Sequence, residues 1–219
     1  MQKIMFNDRY GLTDAVIEGR KIMTRRLIDP MPKDCATVHK NCWGANWSDE
    51  PMSLVVDRDT GGIYCKYCGN GVRLHDGGYH YKTKYEVGEV VAVAQSYEAA
   101  GFDPEYSIEG MLYAKKHAGW RNKMFVSAKY MPHQIRITGI RCERLQDISD
   151  DDCFREGISE SWYESTDTTT YGFADEKKGT AVEFDTPRQA FAALIDKVSG
   201  RGTWKSNPWV VVYEFELVK

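Results

Sequence analysis

The chain has no apolar run approaching the length that crosses a bilayer. Its N-terminus, Met1-Gln2-Lys3-Ile4-Met5-Phe6-Asn7-Asp8, becomes charged again too soon for a secretory leader. It also has no excess of basic charge: 29 Lys and Arg against 32 Asp and Glu leave a formal net charge of −3 over 219 residues. A nucleic-acid contact therefore has to come from a local patch and not from a global field. Internal repeats and low-complexity tracts are missing as well. What is present is the balance of a globular chain with a real core, 42% hydrophobic and 28% charged. One domain with an elaborated insertion is the natural reading at this length. With neither leader nor span, a cytoplasmic location is expected. There the six cysteines would stay reduced, so a metal site is expected before a disulfide framework.

The pattern along the chain is α+β. Thr13 reads as the N-cap of a short helix with Ala15, Val16 and Ile17 as its body, and Gly19 as the left-handed residue past its end. Pro30 and Pro32 then break the chain. Residues 33–83 form a different region, rich in Cys, Gly and polar turns, with Thr60-Gly61-Gly62 as a hairpin turn between Leu54-Val55-Val56 and Ile63-Tyr64. Too few aliphatic residues lie here for burial alone to hold the segment, which calls for a staple. Cys65-x2-Cys68, followed at once by Gly69, has the shape of a zinc knuckle, and Cys35 and Cys42 are its candidate partners, with His39 able to replace either. Such a Zn2+ would be structural, because ligation supplies folding energy while four protein ligands leave no open position for chemistry. Trp43, Trp47, Tyr64 and Tyr67 are either the insertion's small core or a partner-facing surface. His75 and His80 flank glycines and read as surface loop residues.

The core resumes with Val87-Gly88-Glu89 and a buried strand over 90–94, with a candidate strand over 111–114. Ile135 and Ile137 alternate with Arg136 and Thr138, and the alternation restarts after Gly139 at Ile140 and Cys142, as a bulge produces. Ser149 and the acids Asp150, Asp151 and Asp152 open a helix, with Ser149 and Asp152 resembling a capping box. Residues 161–184 read as a mobile loop rich in Ser, Thr, Asp and Gly. Thr186 as N-cap, Pro187 as first helical residue and Gln189 as reciprocal cap start the clearest helix. Ala190, Phe191, Leu194, Ile195 and Val198 form its apolar face, and Gly200 ends it. A strand over 209–218 closes the chain. Cys142 and Cys153 read as packed thiols.

Four cations, Arg20, Lys21, Arg25 and Arg26, fall within residues 19–26 beside Thr24. In an extended segment Thr24 and Arg26 share a face. Burial and like charge would lower the Lys21 pKa, and a partly neutral lysine can act as a base or activate a hydroxyl. Guanidinium groups suit phosphate or a planar nucleobase. The alternative reading is simpler: cations after a helix C-terminus complement its dipole and need no ligand.

Gly19-Arg20-Lys21-Ile22-Met23-Thr24-Arg25-Arg26 resembles the G-x-K-x-x-T-x-R signature of the ASCH family, a group related to PUA domains. Val87-Gly88-Glu89-Val90-Val91-Ala92-Val93 is similar to that family's glycine–acid turn into a core strand. Trp120 through Met131-Pro132, Glu143-Arg144-Leu145-Gln146-Asp147-Ile148, Glu156-Gly157-Ile158 and Gly202-Thr203-Trp204-Lys205-Ser206-Asn207-Pro208-Trp209 resemble its larger phage and prophage members. The resemblance covers most of the chain outside 33–83 and the loop after Gly157. It implies a PUA-like small β-barrel flanked by helices, here with a zinc-ribbon-like insertion, and a cleft for RNA or a modified nucleoside. Some small members are amidohydrolases that deacetylate N4-acetylcytidine. By that resemblance Thr24 would be the nucleophile or orient the water, Lys21 would activate it, and Glu156 would shuttle protons. Arg20, Arg25, Arg26 and Trp120 would contact the ligand; Trp120 and Trp209 are otherwise core aromatics. A phage accessory or assembly protein that uses the fold for protein contacts is the third expectation.

Overall fold

The computed structural model of the chain describes residues 1–28, 54–57, 59–65, 82–103 and 116–218. Its frame is a five-stranded sheet in the order β1-β5-β6-β10-β2. These strands are β1 (Lys3–Ile4), β2 (Met23–Leu27), β5 (Val90–Val93), β6 (Gln134–Arg144) and β10 (Trp209–Leu217). β1 pairs with β5 in parallel and the other ladders are antiparallel. β1 and β2 are the two edges, and no ladder joins them among the described residues. The small barrel that the resemblance implies is therefore, in hydrogen-bonding terms, an open sheet within an α+β fold.

The long β6–β10 ladder carries the bulge expected at Gly139. Glu214 pairs with Gly139 but Phe215 with Ile137, so Thr138 is the extra residue. That slip lets Ile135, Ile137 and Ile140 share one face despite their uneven spacing. Ile4, Val91, Val93, Ile135, Ile137 and Phe215 from four strands then pack in one buried cluster. A second cluster, Ala92, Ala94, Tyr97, Trp120, Val126 and Met131, lies on the other face of β5, where Ala92 alternates with Val91 and Val93.

α1 (Leu12–Ile17) starts two residues earlier than the sequence suggests. Gly11 is its N-cap, and the Thr13 hydroxyl turns instead to Asp8 and to the Phe6 carbonyl. The hairpin of β3 (Leu54–Val56) and β4 (Ile63–Cys65) forms as read, and Leu54 and Ile63 are buried in the main cluster rather than in a core of their own.

α2 (Asp150–Arg155) is capped by Ser149, whose hydroxyl accepts from the Asp152 N–H at 3.1 Å. The segment read as a mobile loop is a three-stranded meander: β7 (Ser159–Tyr163), β8 (Thr168–Asp175) and β9 (Thr180–Phe184). α3 (Pro187–Ser199) packs on β8, and Thr186 caps it by accepting from the Gln189 N–H at 3.2 Å. A single turn, α4 (Thr203–Ser206), precedes β10. No helix among the described residues is long and apolar enough to cross a membrane.

Candidate functional site

The site starts where α1 ends. Gly19 takes a φ of +74°, the left-handed turn expected of it, and the Lys21 N–H then bonds the Ala15 carbonyl at 2.8 Å. The Ile22 N–H reaches the Arg155 carbonyl at 3.0 Å, which stitches the segment to the end of α2. α2 stops in a double hydrogen-bonded turn: Gly157 (φ +101°) donates to Phe154 and Ile158 donates to Cys153. Glu156 is the last residue before that turn, and it faces Lys21.

Lys21 is 2% exposed. Its Nζ donates to the Glu156 carbonyl at 2.6 Å and to Glu156 Oε2 at 2.5 Å, so the lysine satisfies a helix-end carbonyl and pairs with the side chain of the same residue. Burial pushes the Lys21 pKa below its ordinary value, and the positive charges of Arg26 and Arg25 push the same way. Glu156 opposes this without reversing it.

The other carboxylate oxygen of Glu156 accepts from Arg25 Nη1 at 3.1 Å. Arg25, whose side chain is fully buried, also donates twice to Glu143 Oε1 at 2.8 and 2.6 Å and once to Asp152 Oδ2 at 2.8 Å. The register explains this convergence. Val212 of β10 stands opposite Arg25 on one side and Arg141 on the other, so Arg25, Arg141 and Glu143 share a sheet face, and α2 lowers Asp152 and Glu156 onto it. Arg141 completes the network through Glu143, Asp152 and Glu214. Burial alone would raise the Asp152 pKa, but the hydrogen bond and charge of Arg25, with Arg141 and Arg155, hold it below the usual carboxylate range.

Thr24 and Arg26 lie on the opposite face of β2. Arg26 donates to the Met5 carbonyl at 2.6 Å, and its guanidinium sits 5.7 Å from the centre of the Phe6 ring, which Lys21 Nζ also approaches at 5.9 Å. The Thr24 hydroxyl has no hydrogen-bond partner among the described residues.

A cavity of about 240 Å³ opens here, walled by Lys21, Thr24, Arg25, Arg26, Glu156 and Phe6, and by α3 on its far side. Four consecutive β2 residues, from Thr24 to Leu27, line it, so it runs along the edge of the strand and not over one face. Phe215 donates to Ile22, and Ile28 to Trp209, which fixes the even-numbered residues of β2 as those bonded to β10. The N–H and C=O groups of Arg25 and Leu27 therefore point away from β10, to the open edge of the sheet.

No family model, curated protein or solved structure matches the chain.

Of the residues singled out from the sequence, Lys21, Thr24, Arg25, Arg26 and Glu156 come together in this wall. Arg20 does not; it is half exposed and pairs with Glu18 at 2.7 Å. Trp120 is 6% exposed inside the second apolar cluster, and Trp209 is 5% exposed in the main one, so packing and not base stacking accounts for both. Arg25 is held by three carboxylates and is not a free ligand-binding guanidinium. Glu143 and Asp152 were missed as members of the site: the acidic triplet explains itself as helix-start charge, and no local signal links it to Arg25.

Cys142 and Cys153 are packed thiols pushed up to about 12 by burial, unreactive at neutral pH. The backbone of Cys65 belongs to β4, whereas Cys35, His39, Cys42 and Cys68 lie outside the described residues. Among the described residues no cluster of three or more His, Cys, Asp or Glu is placed to hold a metal.

Proposed function

We propose that the cavity takes a modified pyrimidine nucleoside, and that Lys21, Thr24 and Glu156 hydrolyse an acyl group from its exocyclic amine, as the likeness to ASCH amidohydrolases implies. The observation that carries this reading is a lysine buried in the cavity wall, with lowered basicity, in contact with Glu156, in a wall that also holds a threonine hydroxyl without a hydrogen-bond partner among the described residues.

Two of the three tetrahedral positions on Lys21 Nζ are taken by Glu156. In the neutral amine the third is a lone pair, which accepts a proton from the Thr24 hydroxyl or from a water that Thr24 orients. The oxygen so activated adds to the acyl carbon. The Arg25 N–H, on the open strand edge one residue from Thr24, is a donor for the developing oxyanion. The C–N bond then breaks and the proton held by Lys21, passed directly or through Glu156, goes to the departing nitrogen. The products are a free exocyclic amine and a carboxylic acid; if Thr24 itself attacked, a second water cleaves its ester. Arg26, held over Phe6, suits an electron-rich edge of the heterocycle.

The enclosed volume favours one nucleoside over a strand of RNA, because it falls just under the roughly 300–1,000 Å³ of typical ligand pockets. RNA would enter through a single splayed base. The same reading takes the five-stranded sheet as a PUA-like core and residues 33–83 as a zinc-ribbon-like insertion with Cys35, Cys42, Cys65 and Cys68 on Zn2+. Its support is the order of the sequence motifs and the C-x2-C spacing.

The test is incubation with N4-acetylcytidine and chromatographic detection of cytidine. Turnover is expected from the native chain, falling at least about a hundredfold in Thr24→Ala and Lys21→Ala. Equal rates in the native chain and Thr24→Ala would remove the reading. Binding of the nucleoside without turnover, lost in Arg26→Ala, would leave a binding protein and no hydrolase.

A further inference from the structure

The cavity is chemically two-ended, and the hydrolase reading uses only one end. The polar end is formed by the α1–β2 segment and Glu156. The other wall is α3, which lines the cavity with Phe191, Leu194, Ile195 and Val198, one face of the helix at successive turns, with Ser199 at its outer end and Leu27 joining from β2. Phe191 anchors this wall to the polar end, since the Arg25 guanidinium lies 5.9 Å from its ring centre. From Phe191 the helix runs toward solvent. Leu194 and Ile195 are 3% and 7% exposed, and Val198 is 37% exposed. The wall is thus a buried trough that opens at its far end, about 10 Å from Phe191 to Val198 at 1.5 Å per residue.

An acetyl group covers only the first part of such a wall. A small polar product has little use for the remainder, because the one polar helix residue of the lining, Ser199, is exposed at the outer end, beyond the apolar stretch. The heterocycle has its own partners at the other end, with Phe6 and Arg26 on the side of β2 away from α3. Between the two ends lie Thr24 and Lys21, where a scissile bond would sit.

We propose that the substrate class is an exocyclic amine acylated by an aliphatic chain of medium length, with the acyl tail lying along Leu194, Ile195 and Val198. This inference rests on the hydrolase reading. The reaction is the same hydrolysis: water adds a hydroxyl to the acyl carbon and a proton to the nitrogen, and the fatty carboxylic acid leaves with the free amine. Each methylene that enters the trough contributes about a fourfold gain in kcat/KM, which is what about 0.8 kcal/mol of apolar burial amounts to.

The experiment compares N4-acetylcytidine with N4-hexanoylcytidine on the full chain, native and Val198→Asp. Hexanoyl turnover at least tenfold higher in kcat/KM is expected, with that ratio falling by about tenfold in Val198→Asp, a position exposed enough to accept a charge without unfolding. Thermal melting of the variant checks this directly. Acetyl turnover with equal or poorer hexanoyl turnover overturns the inference while the hydrolase reading stands. A preference for hexanoyl that Val198→Asp leaves intact places the tail elsewhere and also overturns it. Turnover of neither substrate removes the hydrolase reading, and this inference with it.

Discussion

Glu156 bridges two buried cations, so removing it and removing Lys21 are not equivalent perturbations. Glu156→Ala leaves Lys21 Nζ without a carboxylate in a site only 2% exposed, while Arg25 keeps Glu143 and Asp152. Removing one partner of a buried pair costs about 3–5 kcal/mol, whether the lysine stays charged or gives up its proton. For a chain of this size that corresponds to a melting point lower by roughly 10 °C. Lys21→Met removes the cation itself, and Glu156 retains Arg25, so the loss at pH 7 is expected to be smaller, about 1–3 kcal/mol for the Glu156 carbonyl and carboxylate oxygen left without their donor.

The two variants also separate by pH. The folded-state pKa of Lys21 lies below 10.5 because of burial, so between that lowered value and 10.5 the unfolded chain binds a proton that the native chain does not. Stability therefore rises with pH across this window, by up to about 1.4 kcal/mol per pH unit, and the charging cost is complete below the lowered pKa. Lys21→Met abolishes this contribution while every other titrating group is shared. The assay is urea unfolding followed by tryptophan fluorescence at several pH values from 7 to 10.5, read as native minus Lys21→Met. A difference that grows with pH supports the argument. A flat or falling difference, or a Lys21→Met variant as unstable as Glu156→Ala, refutes it.

Gly172 tests the meander: a Cβ there would lie 2.3 Å from the Val182 carbonyl oxygen, so Gly172→Ala must push β9 from β8 and is expected to destabilise by about 1–3 kcal/mol in chemical denaturation. For the proposed zinc, elemental analysis of the purified chain is expected to find about one Zn2+ per chain, lost in Cys65→Ser with Cys68→Ser; metal-free native protein with unchanged melting would sink that assignment.

The features legible from sequence are those with local chemistry. Gly19 stands past a short helix, Ser149 and Thr186 are hydroxyls placed to meet an N–H three residues on, and Gly139 interrupts a period-two alternation. The meander escaped because composition outweighed pattern: Thr168-Thr169-Thr170-Tyr171 is a β-branched and aromatic run, but the Ser, Asp and Gly around it read as loop. The Thr13 cap failed for a related reason, since its hydroxyl found Asp8 and the Phe6 carbonyl in space rather than an N–H along the chain. In the site, the likeness to ASCH proteins pointed to Lys21, Thr24 and Glu156. The pairing of Arg25 with Glu143 and Asp152 spans more than a hundred residues and depends on the β2–β10–β6 register, which no spacing along the chain encodes.

That pairing also changes what the basic segment can recognise. In sequence, Arg20, Lys21, Arg25 and Arg26 suggest a phosphate cradle. In space, Arg20 is matched by Glu18, Lys21 by Glu156, and Arg25 by Glu143, Asp152 and Glu156. Arg26 alone of the four lacks a carboxylate partner among the described residues, and it is already held by the Met5 carbonyl and the Phe6 ring. A polyphosphate or a strand of nucleic acid draws its affinity from several unpaired cations, each of which releases a counterion on contact. With one such cation at the cavity and an aliphatic trough opposite, the charge balance supports the proposed ligand, an uncharged heterocycle with a single electron-rich edge and an apolar appendage. Binding that varies little with salt concentration is the behaviour this arrangement dictates, and a steep salt dependence at the cavity would be irreconcilable with it.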